Sequence, residues 1–162
     1  MNKVLFRAFY DLIKSDEELL IELGLYPFPE DYTEEQIDLA TRGKILPYFP
    51  SEYINLPRIV FQGTVSGRPN PDVPFVRDIY SRVHVQSTDE TLQKNNTILY
   101  RISQLIEEET PQILEGEKIE WWSCFEYETE GESPLMVANV YSYFNEYKIT
   151  LSPKNNKIIL KK

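Results

Sequence analysis

Ile79-Tyr80-Ser81-Arg82-Val83-His84-Val85-Gln86-Ser87-Thr88-Asp89-Glu90 is the stretch on which the fold turns. In an extended chain Ile79, Ser81, Val83 and Val85 point one way, and Tyr80, Arg82, His84 and Gln86 the other. A strand with one apolar and one polar face belongs to an antiparallel sheet covered on one side. Thr88-Asp89-Glu90 then caps a helix. From about Asp89 to Glu108, Leu92, Ile98, Leu99, Ile102, Leu105 and Ile106 line up as an apolar stripe, and Pro111 marks the end. A half-buried strand running straight into a helix that can cover it predicts an α+β fold.

Downstream, residues 117–128 and 137–151 are two long strand candidates joined by a hairpin connection at Thr129-Glu130-Gly131-Glu132-Ser133-Pro134. Lys157-Ile158-Ile159-Leu160 is a candidate edge strand. Upstream, Pro57-Arg58-Ile59-Val60-Phe61-Gln62-Gly63-Thr64-Val65 is rich in β-branched and aromatic residues and reads as a strand. Ser66 to Pro74, with its Gly and Pro turn clusters, reads as a loop or hairpin tip. Val4, Leu5, Ala8, Phe9, Leu12 and Ile13 form the stripe of an opening helix. Ser15 with Glu18 suggests a capping box for a short second helix that Gly24 ends. Residues 25–56 are punctuated by Pro27, Pro29, Pro47 and Pro50. The Thr33–Gln36 capping box supports one short helix there, closed by Gly43. The sum is a single α+β domain over 1–162, with a mostly antiparallel sheet of about four strands and helices packed on one face. Residues 25–56 read as an insertion-like segment and 152–162 as a C-terminal extension.

Composition narrows the function. The formal charge is −9, from 26 acidic and 17 basic residues, and a phosphate-gripping protein needs the opposite field. One cysteine, Cys124, excludes an internal disulfide and a cysteine zinc cluster. One histidine, His84, excludes a multi-histidine metal site. No targeting segment and no run of about 18 apolar residues is visible, so the chain is expected to be soluble and intracellular where it is made.

Motifs for catalysis are lacking. No Gly-x-Ser-x-Gly, His-Glu-x-x-His or Cys-x-x-Cys occurs, and Gly63–Gly67 lacks the Lys-Ser/Thr ending of a phosphate loop. His84 on the polar strand face is a conceivable general base, but it reads first as a surface or interface histidine. Cys124 reads as an apolar filler. The run Glu107-Glu108-Glu109 fits no calcium loop and reads as a solvated helix end. No cofactor and no metal are expected.

The outlier is the aromatic content: 11 Tyr, 8 Phe and 2 Trp. Tyr and Trp are enriched where a surface is half wet and half covered. Trp121 and Trp122 are neighbours on a strand and so face opposite ways, with tyrosines available across 139–147. A few helices cover only one face of such a sheet. The second face must therefore meet either the proline-rich segment or another subunit.

Several phrases, in this order, resemble the tail terminator (tail completion, head–tail joining) proteins of long-tailed bacteriophages. They are Leu12-Ile13-Lys14-Ser15-Asp16-Glu17-Glu18-Leu19 after the first helix; Gly43-Lys44-Ile45-Leu46-Pro47; Leu56-Pro57-Arg58-Ile59-Val60-Phe61-Gln62, closed by Val65-Ser66-Gly67; Arg82-Val83-His84-Val85-Gln86-Ser87 leading into the long helix; and Tyr147-Lys148-Ile149-Thr150-Leu151. The resemblance spans roughly residues 3–151. It implies a virion structural protein and not an enzyme. Copies of the chain would form a ring, typically a hexamer, that caps the tail tube and presents a surface to the head connector or neck protein. DNA would pass through the lumen without specific binding. Assembly would take place in the host cytoplasm, with no membrane partner. Candidate interface residues are Arg68, Phe75 and Arg77 around the reaching loop, and Trp122, Tyr141 and Tyr143 on the last hairpin. Another neck component, a small enzyme using His84 and a monomeric adaptor that binds a peptide along a sheet edge are the alternatives.

Overall fold

The computed structural model describes residues 2–69, 77–109, 111, 113–115, 118–133 and 137–153. The chain is α+β, as the strand-to-helix stretch predicts. The helices are α1 (Asn2–Ile13), α2 (Glu17–Glu22), α3 (Glu34–Arg42) and α4 (Gln93–Glu108). The strands are β1 (Ile45–Leu46), β2 (Arg58–Pro69), β3 (Arg77–Ser87), β4 (Ile113–Glu115), β5 (Lys118–Glu132) and β6 (Tyr141–Pro153). They join in the order β1-β2-β3-β6-β5-β4, and only the two-residue β1 pairs in parallel, with β2. The expected strands are the four long ones. The additional β1 and β4 are too short for a two-residue period to show in sequence.

The register makes the two faces. Ile59 lies opposite Val85 and Phe61 opposite Val83, while across the next ladder Val83 lies opposite Asn145 and Ile79 opposite Ile149. This face carries the core with Leu5, Phe9 and Ile13 of α1, Leu19 of α2, and Ile98, Ile102 and Leu105 of α4. Phe9 stacks on Phe61 at 4.9 Å between ring centroids. Fully burying each such side chain contributes about 1.5–3 kcal/mol.

The element ends explain themselves locally. The cap of α2 is Asp16 and not the expected Ser15: its carboxylate accepts from the Leu19 amide at 2.9 Å. Ser15 instead closes the end of α1, donating to the Leu12 carbonyl at 2.8 Å. Asp16 also pairs with Arg101 of α4 at 2.7 Å, so the same carboxylate caps one helix and ties it to another. Gly24 follows with φ +71°, the left-handed turn that favours glycine. The Thr33–Gln36 capping box forms as read, and Gly43 caps α3.

α4 begins at Gln93, four residues later than the Asp89 start read from sequence. The Asp89 carboxylate folds a turn instead, accepting from the Thr91 amide and hydroxyl and from the Lys94 amide. Residues 137–140 are a turn with Asn139 at φ +63°, so the last strand starts at Tyr141 and not at 137. Strand β5 runs on through Glu132, so most of the expected hairpin connection is strand, with an irregularity between Tyr127 and Thr129. Likewise Ser66–Pro69 is strand and not loop. Gly67 and Arg68 pair with Ile79 and Asp78, and this ladder overrides the local turn preference. The candidate edge strand at 157–160 lies outside the described residues.

Candidate interaction surface

The second face of the sheet holds Arg58, Gln86 and Ser142 in one cross-strand row and Val60, His84 and Phe144 in the next. The proline-rich segment covers these rows. Phe49 packs edge-on against the His84 ring, 4.8 Å between centroids, and Phe144 flanks it at 5.2 Å. Arg58, only 2 % exposed, donates through Nη1 to the Glu52 carbonyl at 2.8 Å and the Ile54 carbonyl at 3.3 Å, and through Nε to Gln86 Oε1 at 2.7 Å. Its guanidinium also lies 5.2 Å from the Tyr53 ring. Among the described residues it meets no carboxylate. A buried cation held by carbonyls and an amide is a clamp between the segment and the sheet. Of the two covers the sequence left open, the proline-rich segment takes this end of the face.

His84 is therefore not a surface or interface histidine. It is 3 % exposed, and its partners are Gln62 Oε1 at 3.0 Å from Nε2 and Ser133 Oγ at 2.9 Å from Nδ1. Burial, with Arg82 nearby, pushes its pKa down to about 4, so the ring is neutral near pH 7. Farther along the same face the side chains turn polar. Arg82 pairs with Glu146 at 2.7 Å and Lys148 with Glu126 at 3.7 Å.

The helix-covered face ends differently at its two margins. At the β1 margin, α3 and the segments flanking it leave Leu39 72 %, Tyr48 64 % and Ile54 59 % exposed. At the opposite margin α4 lies over β3 and β6, and β5 projects past it. The overhang forms a cleft of about 440 Å³ between Tyr100 and Glu107 of α4, Tyr127 and Glu130 of β5, and Tyr143 and Asn145 of β6. Tyr100 is 67 % and Tyr127 50 % exposed. The floor is built by hydrogen bonds: Ser103 and Tyr147 hydroxyls lie 2.7 Å apart, and Asn145 Nδ2 donates to Ser103 at 3.2 Å. Partial burial and the Glu130 carboxylate push the Tyr127 phenol up to about 12. Burial and the carboxylates of Glu130 and Glu132 raise that of Tyr143. The local potential is negative.

Of the residues read from sequence as interface candidates, Tyr143 lines this cleft. Tyr141 lies two residues up β6, beside Leu92, Ser133 and Val137. Arg68 lies opposite Asp78 on the β2–β3 ladder, and Arg77 lies opposite both Pro69 and Leu151. Tyr143 lies opposite Val85, eight residues along β3 from Arg77, a separation of about 26 Å at ~3.3 Å per residue. Tyr143 is therefore not one site with Arg77, whereas Trp122 of β5 stands at the Arg77 end of the sheet, opposite Ser152, the residue that follows Leu151. Phe75, and the side chains of Arg68, Arg77 and Trp122, lie outside the described residues. Sequence reasoning missed Tyr100, Tyr127 and Glu130. The available signal was a tyrosine off the apolar stripe of the helix and the Glu126-Tyr127-Glu128-Thr129-Glu130 alternation.

No protein-family model matches the sequence, and a search of curated proteins finds no match.

Proposed function

We propose that this chain is a non-enzymatic virion structural protein, a subunit of the ring that caps the tail tube of a long-tailed phage and joins tail to head connector. One observation carries the reading beyond resemblance. Among the exposed apolar and aromatic side chains, Leu39, Tyr48 and Ile54 stand at one margin of the sheet and Tyr100 and Tyr127 at the other, with further ones such as Ile21 on α2. A ring closes through a heterologous contact, which needs two different patches on one subunit. The charge of −9 suits a channel that conducts DNA without holding its phosphates. The rival enzymatic reading draws no support from His84, whose hydrogen bonds go to Gln62 and Ser133 beneath Phe49.

The test is electron microscopy and native mass measurement of the chain, alone and mixed with tail tubes assembled from the tube protein of the same phage. The expected result is a closed ring on tube ends that stops further growth. Tubes that keep elongating with bare ends would refute it. A monomer in isolation would not, because ring closure can await the tube.

A further inference from the structure

We propose that the cleft beside α4 receives a lysine or arginine side chain from an extended segment of a partner protein, and that this segment adds as a strand to the outer edge of β5. Three features of that margin converge. β4 pairs with β5 only from Lys118 to Trp121, so among the described residues the rest of β5 is bonded on its β6 side alone. An unpaired edge of this length offers a row of backbone donors and acceptors to an incoming chain. Next to it, Tyr100, Tyr127 and Tyr143 surround a cavity of about 440 Å³ whose charged lining is Glu107 and Glu130. Aromatic faces with carboxylates at the rim suit a cation on a long apolar stem.

The third feature is the charge along the edge. Glu126, Glu128, Glu130 and Glu132 are all exposed, and only Glu126 has a basic partner, Lys148, among the described ion pairs. Glu126 faces the Lys148 side of the sheet, and beyond the irregularity at Tyr127/Thr129 Glu130 and Glu132 face the cleft side, so carboxylates on both faces of the edge repel an acidic strand, including a second copy of the same edge, and favour a basic one. Glu130 and Glu132 lie opposite Asn145 and Tyr143, on the cleft side of the strand. An incoming strand with basic residues at alternate positions would set one in the cleft and the next against Glu132.

The inference names the chemistry of one partner surface within the structural-protein reading. It is tested on the free chain, so its failure is distinct from a failure to cap tubes. The probe is an eight-residue peptide, Thr-Lys-Val-Lys-Val-Lys-Val-Thr, titrated into the full ¹³C,¹⁵N-labelled chain at low salt. The control peptide has Glu in place of each Lys. The expected result is saturable shifts over Glu126–Glu132 and in the Tyr127 and Tyr143 rings, slowed amide exchange along β5, and no such shifts with the control. Tyr127→Ala and Glu130→Gln each weaken binding by about tenfold or less, and together by more, while their unchanged spectra elsewhere report an intact fold. Equal binding of the two peptides, shifts that map to another surface, or undiminished affinity in the double variant would overturn the proposal.

Discussion

Acidification from about pH 7 to about pH 4.5 should cost this fold about 2 kcal/mol through one side chain, His84. The ring is 3 % exposed between Phe49 and Phe144, and its pKa is held near 4 against about 6.5 for a free imidazole, first by burial and then by Arg82. Between those values the unfolded chain binds a proton that the folded chain refuses. Stability is therefore complete above the unfolded value and falls as pH drops toward the folded one. The slope reaches about 1.4 kcal/mol per pH unit, and the full loss approaches about 3 kcal/mol below pH 4. Carboxylates titrate in the lower part of the same window, so the measurement is a difference. Urea denaturation midpoints of the wild type and His84→Gln are compared at half-unit steps. The substituted amide keeps a donor and an acceptor for Gln62 and Ser133 and carries no titratable group. The wild type should lose about 2 kcal/mol relative to the variant across the window. Parallel curves would mean that the imidazole is protonated in the folded state, and hence that the Phe49 cover is open in solution.

Arg58→Met should keep the stem packing, leave the Glu52 and Ile54 carbonyls and Gln86 without their donor, and cost about 1–3 kcal/mol, with faster amide exchange confined to residues 47–57. Asn95→Ala should cost about 2–3 kcal/mol by equilibrium denaturation, because the buried amide serves the Val85 and Tyr141 carbonyls and the Ser87 hydroxyl at once. Gly24→Ala places a Cβ at φ +71° with nothing within 4 Å, so its cost of about 1 kcal/mol is backbone strain alone and should appear in the melting temperature without a change in the denaturant slope. Thr33→Ala should cost about 1 kcal/mol through the lost cap and leave the rest of the amide spectrum unchanged.

What was legible in the sequence follows from which forces are local. The Ile79–Val85 face and the stripe from Ile98 to Ile106 record burial under the helices directly, whereas the polar side chains of the same strand, His84 and Gln86, are buried as well under a distant segment. Element ends were less legible because competing hydrogen bonds decide them. Asp89 has the right chemistry for a helix cap and uses it on a turn, and Ser15 closes the helix before it while Asp16 caps the next. For the second face the sequence offers two covers, the proline-rich segment or another subunit, and does not show which residue fixes the first in place. Arg58 looks like the solvated start of a strand until the antiparallel register sets it beside Gln86, 28 residues away, under a segment whose carbonyls it holds.

The tyrosines show why an exposed aromatic patch is harder to read than a core. Tyr127, Tyr143 and Tyr147 lie on the same sheet face, and Tyr127 stands directly across from Tyr147 with their rings 6.3 Å apart. By residue type and strand parity they are equivalent. Yet Tyr147 is 2 % exposed with its hydroxyl on Ser103, and Tyr127 is half exposed. The difference is one strand spacing of about 4.8 Å, because α4 lies over β3 and β6 and touches β5 only at its border. Where a helix layer ends depends on the packing of the whole sheet, so no window of sequence contains it. The excess of aromatic residues in the sequence does not show which of them stay exposed. Only the fold shows that the surface begins where the helix runs out.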